Sequence, residues 1–173
     1  MRYDYDLICI GLGPAGMAVS VMASEMGLKV CAIEEKAVGG ECMNVGCIPS
    51  KALLRMAKIR SAFDKLAEME LEAAPKPAVR QPFRRIQESL DFISQKKTMG
   101  LFAKTHLVYQ KGPARFVDPH TVAVAGESYR AKKIFICVGT RPQMPAIPGI
   151  ERVDCLTNEN LFKLEAVPES LII

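Results

Sequence analysis

The sequence predicts an α/β fold, in which a parallel sheet is flanked by helices and joined by a small antiparallel β-meander. Three observations support this prediction. Two apolar runs flank a glycine-rich turn and a helical segment within the first 33 residues. Apolar residues recur at three- and four-residue steps through the middle of the chain. From residue 107 onward they recur at every second residue. The 173 residues suffice for one domain with a hydrophobic core.

The beginning of the chain has the pattern of a βαβ unit. Residues 6–10 are apolar and β-rich, residues 14–26 are small and compatible with a helix, and Gly27 is suited to cap that helix. Residues 29–33 form a second apolar run. Strand, helix and strand within about 30 residues predict two parallel strands joined by a right-handed crossover.

Two amphipathic helices are predicted next. The first opens at Pro49 and carries apolar residues at Leu53, Met56, Ile59, Phe63, Leu66 and Met69. The second runs from Pro82 to about Gly100 and carries Phe83, Ile86, Leu90 and Ile93. We interpret both apolar stripes as parts of the core.

Short strands are predicted for the rest of the chain, at residues 107–109, 114–117 and 121–124. Residues 133–138 are almost continuously apolar, as in the centre of a parallel sheet. Residues 171–173 have the pattern of a strand that begins a further unit. We therefore predict one domain over residues 1–150 and a connector with the first strand of a second domain over residues 151–173.

Composition excludes several classes of protein. Hydrophobic residues make up 49% and charged residues 24%, as in ordinary globular proteins, and the net charge of +4 is scattered rather than clustered, so we expect no nucleic-acid partner. Residues 7–24 carry no charge, but acidic residues precede them and glycines interrupt them. A targeting signal or membrane span is therefore not predicted, and we expect a cytoplasmic protein without a membrane partner.

The glycine-rich turn has the spacing of a dinucleotide-binding loop. Gly11 permits a tight turn, Gly13 lets the backbone approach a pyrophosphate, and Gly16 lets helix and strand pack closely. Glu34 ends the next strand, where a carboxylate can accept both ribose hydroxyls of an adenosine. The alternative is a structural turn followed by a surface glutamate.

Cys42 and Cys47 stand apart from the other cysteines. Cys9, Cys31 and Cys137 lie in apolar runs, where a buried thiol acts as a small hydrophobic residue, and no function is predicted for Cys155.

The Cys42–Cys47 pair is spaced to close a small ring where a helix is about to begin, so we predict a disulfide that cycles with a dithiol. Two inert thiols, or half of a zinc site, are the alternatives. Zinc ligands usually come as closer pairs, and His106 and His120 have no ligand-like spacing, so no metal is predicted.

Residues 39–51, Gly-Gly-Glu-Cys-Met-Asn-Val-Gly-Cys-Ile-Pro-Ser-Lys, resemble the active-site motif of the pyridine nucleotide–disulfide oxidoreductases. This family includes dihydrolipoamide dehydrogenase, glutathione reductase and mercuric reductase. The glycine loop, Glu34, the cysteine motif, residues 112–116 and residues 136–142 follow in the order of that family's FAD domain. The resemblance covers nearly the whole chain and implies a Rossmann-like FAD-binding domain that passes electrons between a dithiol or disulfide and NAD(P).

The resemblance also implies roles for single residues. Cys47 would face the flavin, Cys42 would be the interchange thiol that attacks the substrate, and Lys51 would stabilise negative charge on the reduced flavin. The implied cofactor-binding residues are Gly11, Gly13, Pro14, Ala15, Gly16, Glu34, Glu35, Gly40, Glu41, Cys42, Gly46, Cys47, Lys51, Gly112, Ala114 and Gly139. The chain departs from the family at Glu41, where Thr is frequent, and at residues 137–139, which read Cys-Val-Gly in place of Ala-Thr-Gly.

Residues 47–54 favour dihydrolipoamide dehydrogenase, with lipoamide as the substrate. Glutathione reductase-like or mercuric reductase-like enzymes are alternatives, and a stand-alone flavin-binding electron-transfer module is the alternative of another class. The resemblance implies a homodimer with a nicotinamide domain and a catalytic His–Glu pair. Because neither His106 nor His120 matches that pair, we expect this chain alone to lack NAD-linked turnover.

Overall fold

The computed structural model describes residues 2–173, apart from the side chains of residues 94–96. The chain divides into two compact units. The first comprises the described residues up to Asn44 together with Phe92–Arg141, and the second comprises Val45–Asp91 and Pro142–Ile173.

Within the described residues, the first unit contains a six-stranded mixed sheet. Its strands are β1 (Tyr5–Ile10), β2 (Val30–Glu34), β3 (His106–Tyr109), β4 (Arg115–Asp118), β5 (Thr121–Val124) and β6 (Glu127–Ile136). Their spatial order is β3-β2-β1-β6-β5-β4. Strands β3, β2, β1 and β6 are parallel, while β6, β5 and β4 are antiparallel neighbours. The predicted α/β fold with a small meander is confirmed.

Helix α1 (Pro14–Glu25) connects β1 to β2, as predicted. Because side chains alternate along a strand, Leu7 and Cys9 pack in the cluster that includes Ala23 of α1, whereas Ile8 belongs to a second cluster with Val122. Both faces of β1 are therefore covered, which explains its unbroken apolar run.

Two elements of this unit differ from the sequence-based prediction. A short helix, α2 (Gly40–Asn44), begins at the second glycine of the cysteine motif, where no helix was predicted. Strand β6 begins at Glu127 rather than at residue 133, because its first residues pair with β5 across a tight turn in which Ala125 and Gly126 both have positive φ. Strand β6 is an interior strand, but it does not lie in the centre of a parallel sheet as expected, because it is parallel to β1 and antiparallel to β5.

The second unit contains helices α3 (Cys47–Ala62), α4 (Pro82–Phe92) and α5 (Asn158–Leu161). The apolar stripe of α4 is confirmed as core, since Phe83, Ile86 and Leu90 are buried. The α-helical part ends at Phe92, and a π-helix and a 3₁₀-helix, which belong to the first unit, continue to Phe102.

The core interpretation of the α3 stripe is wrong. Pro49 is the one buried residue of this helix, while Ile59 is 49% exposed and Met69, in a 3₁₀ turn beyond it, is 68% exposed. Within the described second unit, no sheet covers this stripe. The periodicity of α3 therefore identifies an apolar face of the helix but does not show that this face is buried.

The predicted strand at residues 171–173 is not formed in the described chain. Ile172 and Ile173 are fully exposed, and no strand pairs with them. A strand needs a neighbouring strand to satisfy its backbone groups, and an apolar run alone does not supply one. None of the described helices has the length and apolar character needed to cross a membrane.

Candidate dinucleotide and redox site

The loop between β1 and α1 lies at the carboxyl ends of the parallel strands. The N–H of Gly11 donates to the carbonyl of Ile33 at 2.8 Å, and Gly11 has a φ of 88°. A Cβ at this position would lie 2.4 Å from the carbonyl oxygen of Cys137. Glycine is therefore required for the loop to pass between the ends of β2 and β6, at the sheet edge where α/β proteins bind ligands.

Gly16 lets α1 pack directly on β1. A Cβ there would lie 1.8 Å from the carbonyl oxygen of Gly11 and 3.2 Å from the sulfur of Cys9. Helix α1 begins at Pro14 after Gly13, with no side-chain cap and no acidic residue in its first turn. Its first N–H groups have no acceptors within the helix, so this terminus suits a negatively charged phosphate.

Glu34, the last residue of β2, is hydrogen-bonded through both carboxylate oxygens. Oε2 accepts from the N–H of Leu12 at 2.7 Å, and Oε1 accepts from the N–H of Lys36 at 2.8 Å. Each oxygen retains a lone pair for a hydroxyl donor. The structure thus adds a structural role for Glu34 in holding the glycine loop, and the predicted ribose contact remains a prediction.

The glycine pair that opens the cysteine motif is attached to the same loop. The N–H of Gly39 donates to the carbonyl of Leu12 at 2.7 Å. Gly40 has a φ of 55°, and a Cβ on it would lie 2.7 Å from the Cα of Gly13. The side chain of Asn44 donates to the carbonyl of Gly40 at 2.8 Å. These contacts hold α2, which carries Cys42, at the dinucleotide loop.

The two predicted redox cysteines lie on different helices. Cys42 is half-buried on α2 in the first unit, and Cys47 is the exposed first residue of α3 in the second unit. Gly46 precedes α3 and provides no side-chain cap. Lys51 is exposed four residues after Cys47, so the two share one face of the helix. The Cys42–Cys47 disulfide remains a prediction.

The segment after β3 approaches the end of β2. The N–H of Gln110 donates to the carbonyl of Glu34 at 2.8 Å, and its side-chain amide donates to the carbonyl of Lys36 at 2.9 Å. Gly112 follows with a φ of 107°, and Ala114 is half-buried. These contacts place residues 110–114 near Glu34, and the predicted adenine contacts remain predictions.

The remaining predicted cofactor residues are solvent-exposed. Ala15 lies in the first turn of α1, and Gly139 follows β6 with a φ of 68°. Glu35 comes directly after β2, and Glu41 lies in the first turn of α2. Their roles remain predictions. The sequence analysis did not identify Gln110 or Asn44, whose side-chain amides hold loops of the site in place. The only sequence signal for them was the position of a polar residue just after a strand or at the end of a helix.

Cys9 and Cys31 are fully buried, as predicted. Burial raises the pKa of each thiol to about 12, so both remain protonated at neutral pH. Cys137 is only half-buried, because it lies beyond the end of β6. Among the described residues, no group of three or more His, Cys, Asp or Glu side chains is placed to hold a metal ion.

The family of the chain follows from a match over residues 5–173 to the model of the pyridine nucleotide-disulphide oxidoreductases. The chain belongs to this family of oxidoreductases. The Rossmann-like α/β fold and the glycine loop at the carboxyl ends of its strands agree with that membership.

Proteins similar to the chain include mercuric reductases and dihydrolipoyl dehydrogenases. The chain is 35% identical to a mercuric reductase of Lysinibacillus sphaericus over 98% of its own length, and 32% identical to a dihydrolipoyl dehydrogenase of Mycoplasma pneumoniae over 98%. It spans 31% and 38% of these two proteins, respectively.

A solved structure shows the same fold. The HOCl-induced flavoprotein disulfide reductase RclA from Escherichia coli superposes with a TM-score of 0.77 at 27% identity. The match covers 95% of this chain and 35% of that one.

Proposed function

We propose that this chain is the FAD-binding, dithiol-bearing part of an enzyme that passes electrons between a dithiol or disulfide and NAD(P). The observation that carries the proposal is the attachment of the cysteine motif to the glycine loop, through Gly39 N–H to Leu12 and the close approach of Gly40 to Gly13. A dinucleotide held at α1 would then lie beside the helix that carries Cys42.

The residues of the first unit fit a dinucleotide. The uncapped terminus of α1 offers N–H donors to a pyrophosphate, and glycines leave space for it. The Glu34 carboxylate can accept ribose hydroxyls, and residues 110–114 lie near it, where they would contact the adenine. When bound, FAD would supply the two-electron redox chemistry between the thiols and the nicotinamide.

The cysteines would carry the reaction with the substrate. Cys42 would exchange with the substrate sulfur, and Cys47, at the N-terminus of α3, would face the flavin. Lys51, one turn along from Cys47, places a positive charge on the same helix face, where it would stabilise negative charge on a reduced flavin.

We propose dihydrolipoamide as the dithiol, in a cytoplasmic homodimer. The 32% sequence identity to a dihydrolipoyl dehydrogenase and the sequence of residues 47–54 support this choice. A second candidate is reduction of Hg(II), which is favoured by the 35% identity to a mercuric reductase.

A half-reaction tests the proposal without the nicotinamide. The chain is loaded with FAD, and loss of flavin absorbance is followed under anaerobic conditions after addition of dihydrolipoamide. We expect reduction in the parent chain and in Cys155→Ser, and its loss in Cys42→Ser and Cys47→Ser.

Equal reduction in all four proteins would indicate a flavin module without a disulfide function. Reoxidation of the reduced protein by Hg(II), but not by lipoamide, would assign the second candidate.

A further inference from the structure

A second pair of cysteines lies beneath the glycine loop. Strands β1 and β6 are parallel, with Cys9 opposite Phe135, and the N–H of Cys137 donates to the carbonyl of Ile10 at 2.7 Å. Side chains alternate along a strand, so Cys137, two residues after Phe135, faces the same side of the sheet as Cys9. Both pack in the cluster on the α1 side of the sheet, where Cys9 is fully buried and Cys137 is partly buried.

This pair contacts the loop directly. The thiol of Cys9 donates to the carbonyl oxygens of Gly11 at 3.7 Å and Gly16 at 3.6 Å. Behind it, the hydroxyl of Ser20 is fully buried without a well-formed hydrogen bond. The carbonyl of Cys137 lies against Gly11 at a distance that admits no Cβ.

We propose that Cys9 and Cys137 are a second redox pair, which a peroxide converts to a disulfide that distorts the glycine loop. Cys137 is half-buried and reacts first, while Cys9 is out of reach of solvent and acts second, as the resolving thiol.

The chemistry balances with hydrogen peroxide as the oxidant. The Cys137 thiol attacks one peroxide oxygen, the O–O bond breaks, and Cys137 sulfenic acid and water form. The Cys9 sulfur then attacks the sulfenic sulfur, forming the S–S bond and releasing a second water. In total the two thiols lose two electrons and two protons, and one peroxide becomes two waters.

A bridge at these positions must move the backbone. Diagonal neighbours on adjacent strands lie roughly 7–8 Å apart, with their Cβ atoms somewhat closer, whereas the Cβ atoms of a disulfide lie about 4 Å apart. Cys137 lies just beyond β6, so the end of that strand can shift toward Cys9, and the shift presses on Gly11. Oxidation also removes the thiol hydrogen that Cys9 donates to the loop. Such a strained bridge is easily reduced, which makes the modification reversible.

Peptide mapping tests the bridge. Cys42, Cys47 and Cys155 are first replaced by Ser, so that Cys9, Cys31 and Cys137 remain. After peroxide treatment and tryptic digestion without reductant, we expect residues 3–29 joined to residues 134–152, at the mass of the two peptides less two hydrogens. A further Cys31→Ser change should leave this product intact, and Cys9→Ser or Cys137→Ser should abolish it.

Oxidation of Cys137 to a sulfenic or sulfinic acid with Cys9 still a thiol would overturn the proposal, and so would an unreactive Cys137. A bridge from Cys137 to Cys31 would overturn it as well.

The effect on the loop has its own readout, which rests on the proposed binding of FAD. Oxidised protein should bind FAD about tenfold or more weakly than reduced protein, and dithiothreitol should restore binding. Failure of the reduced protein to bind FAD would contradict the proposed function and leave the peptide result standing. Equal FAD affinity of the reduced and the bridged protein would show that the bridge forms without affecting the loop.

Discussion

The carboxylate of Glu34 accepts a hydrogen bond of 2.7 Å from the backbone N–H of Leu12, inside the glycine loop. This hydrogen bond joins the end of β2 to the loop before α1, although the whole of α1 lies between these two segments along the chain. One residue thus supports the loop and offers the carboxylate that a ribose would use.

Replacing Glu34 by Ala should weaken both roles. A hydrogen bond to a charged group contributes about 1.5–3 kcal/mol, so loss of the bonds to Leu12 and Lys36 should lower the free energy of unfolding by at least about 1.5 kcal/mol in urea titrations. FAD affinity, followed by flavin fluorescence, should fall about tenfold or more. Glu72→Ala, at an exposed glutamate outside the predicted site, is the matched control. Lower stability with unchanged FAD affinity would leave Glu34 with the structural role alone.

Gly16→Ala should disrupt the packing of α1 on β1. The added Cβ would lie 1.8 Å from the Gly11 carbonyl oxygen, which forces the helix and loop apart. Overpacking typically costs about 1–3 kcal/mol, and a clash with backbone should reach at least the upper end of that range. Gly100→Ala is the control, because a Cβ there meets nothing within 4 Å. Similar urea midpoints for the two variants would show that the helix does not pack as described.

Thiol counting should detect the Cys42–Cys47 disulfide. In air-oxidised protein we expect four thiols after denaturation and six after mild reduction, because the other four cysteines remain reduced without peroxide. Cys42→Ser and Cys47→Ser should each show five thiols without any reductant. Six thiols in the air-oxidised parent chain would contradict the prediction of a redox pair.

Stability should decline in alkaline solution because of Cys9 and Cys31. Burial raises the pKa of both thiols from about 9 to about 12, so the folded state holds their protons more tightly than the unfolded state does. Their contribution is fully present below pH 9 and is lost as the pH rises toward 12.

Urea midpoints measured between pH 8 and pH 11 should therefore fall less steeply in Cys31→Ala than in the parent chain, while Cys155→Ala should follow the parent. Parallel profiles for all three proteins would show that the Cys31 thiol titrates normally in the fold.

The βαβ unit and the glycine loop could be predicted because their signals are local. Gly11 has a positive φ, Gly16 packs against Gly11 five residues earlier, and β1 shows an apolar run of its own. The two-residue period identified β5 with its exact ends, since alternation is a property of the strand itself. Such features depend on neighbouring residues, and the sequence displays them directly.

Contacts between distant segments were decided only by the tertiary structure. The α3 stripe has helical periodicity, yet burial depends on which elements cover it, and that information lies elsewhere in the chain. The bonds of Gln110 arise because parallel pairing brings the ends of β2 and β3 side by side. Cys9 and Cys137 pack in one cluster because β1 and β6 are likewise parallel neighbours. By itself the sequence determined the turn chemistry and the spacing of the cysteine motif. The order of the strands in the sheet determined which of these residues meet, and that order depends on strand pairing and side-chain packing over the whole chain.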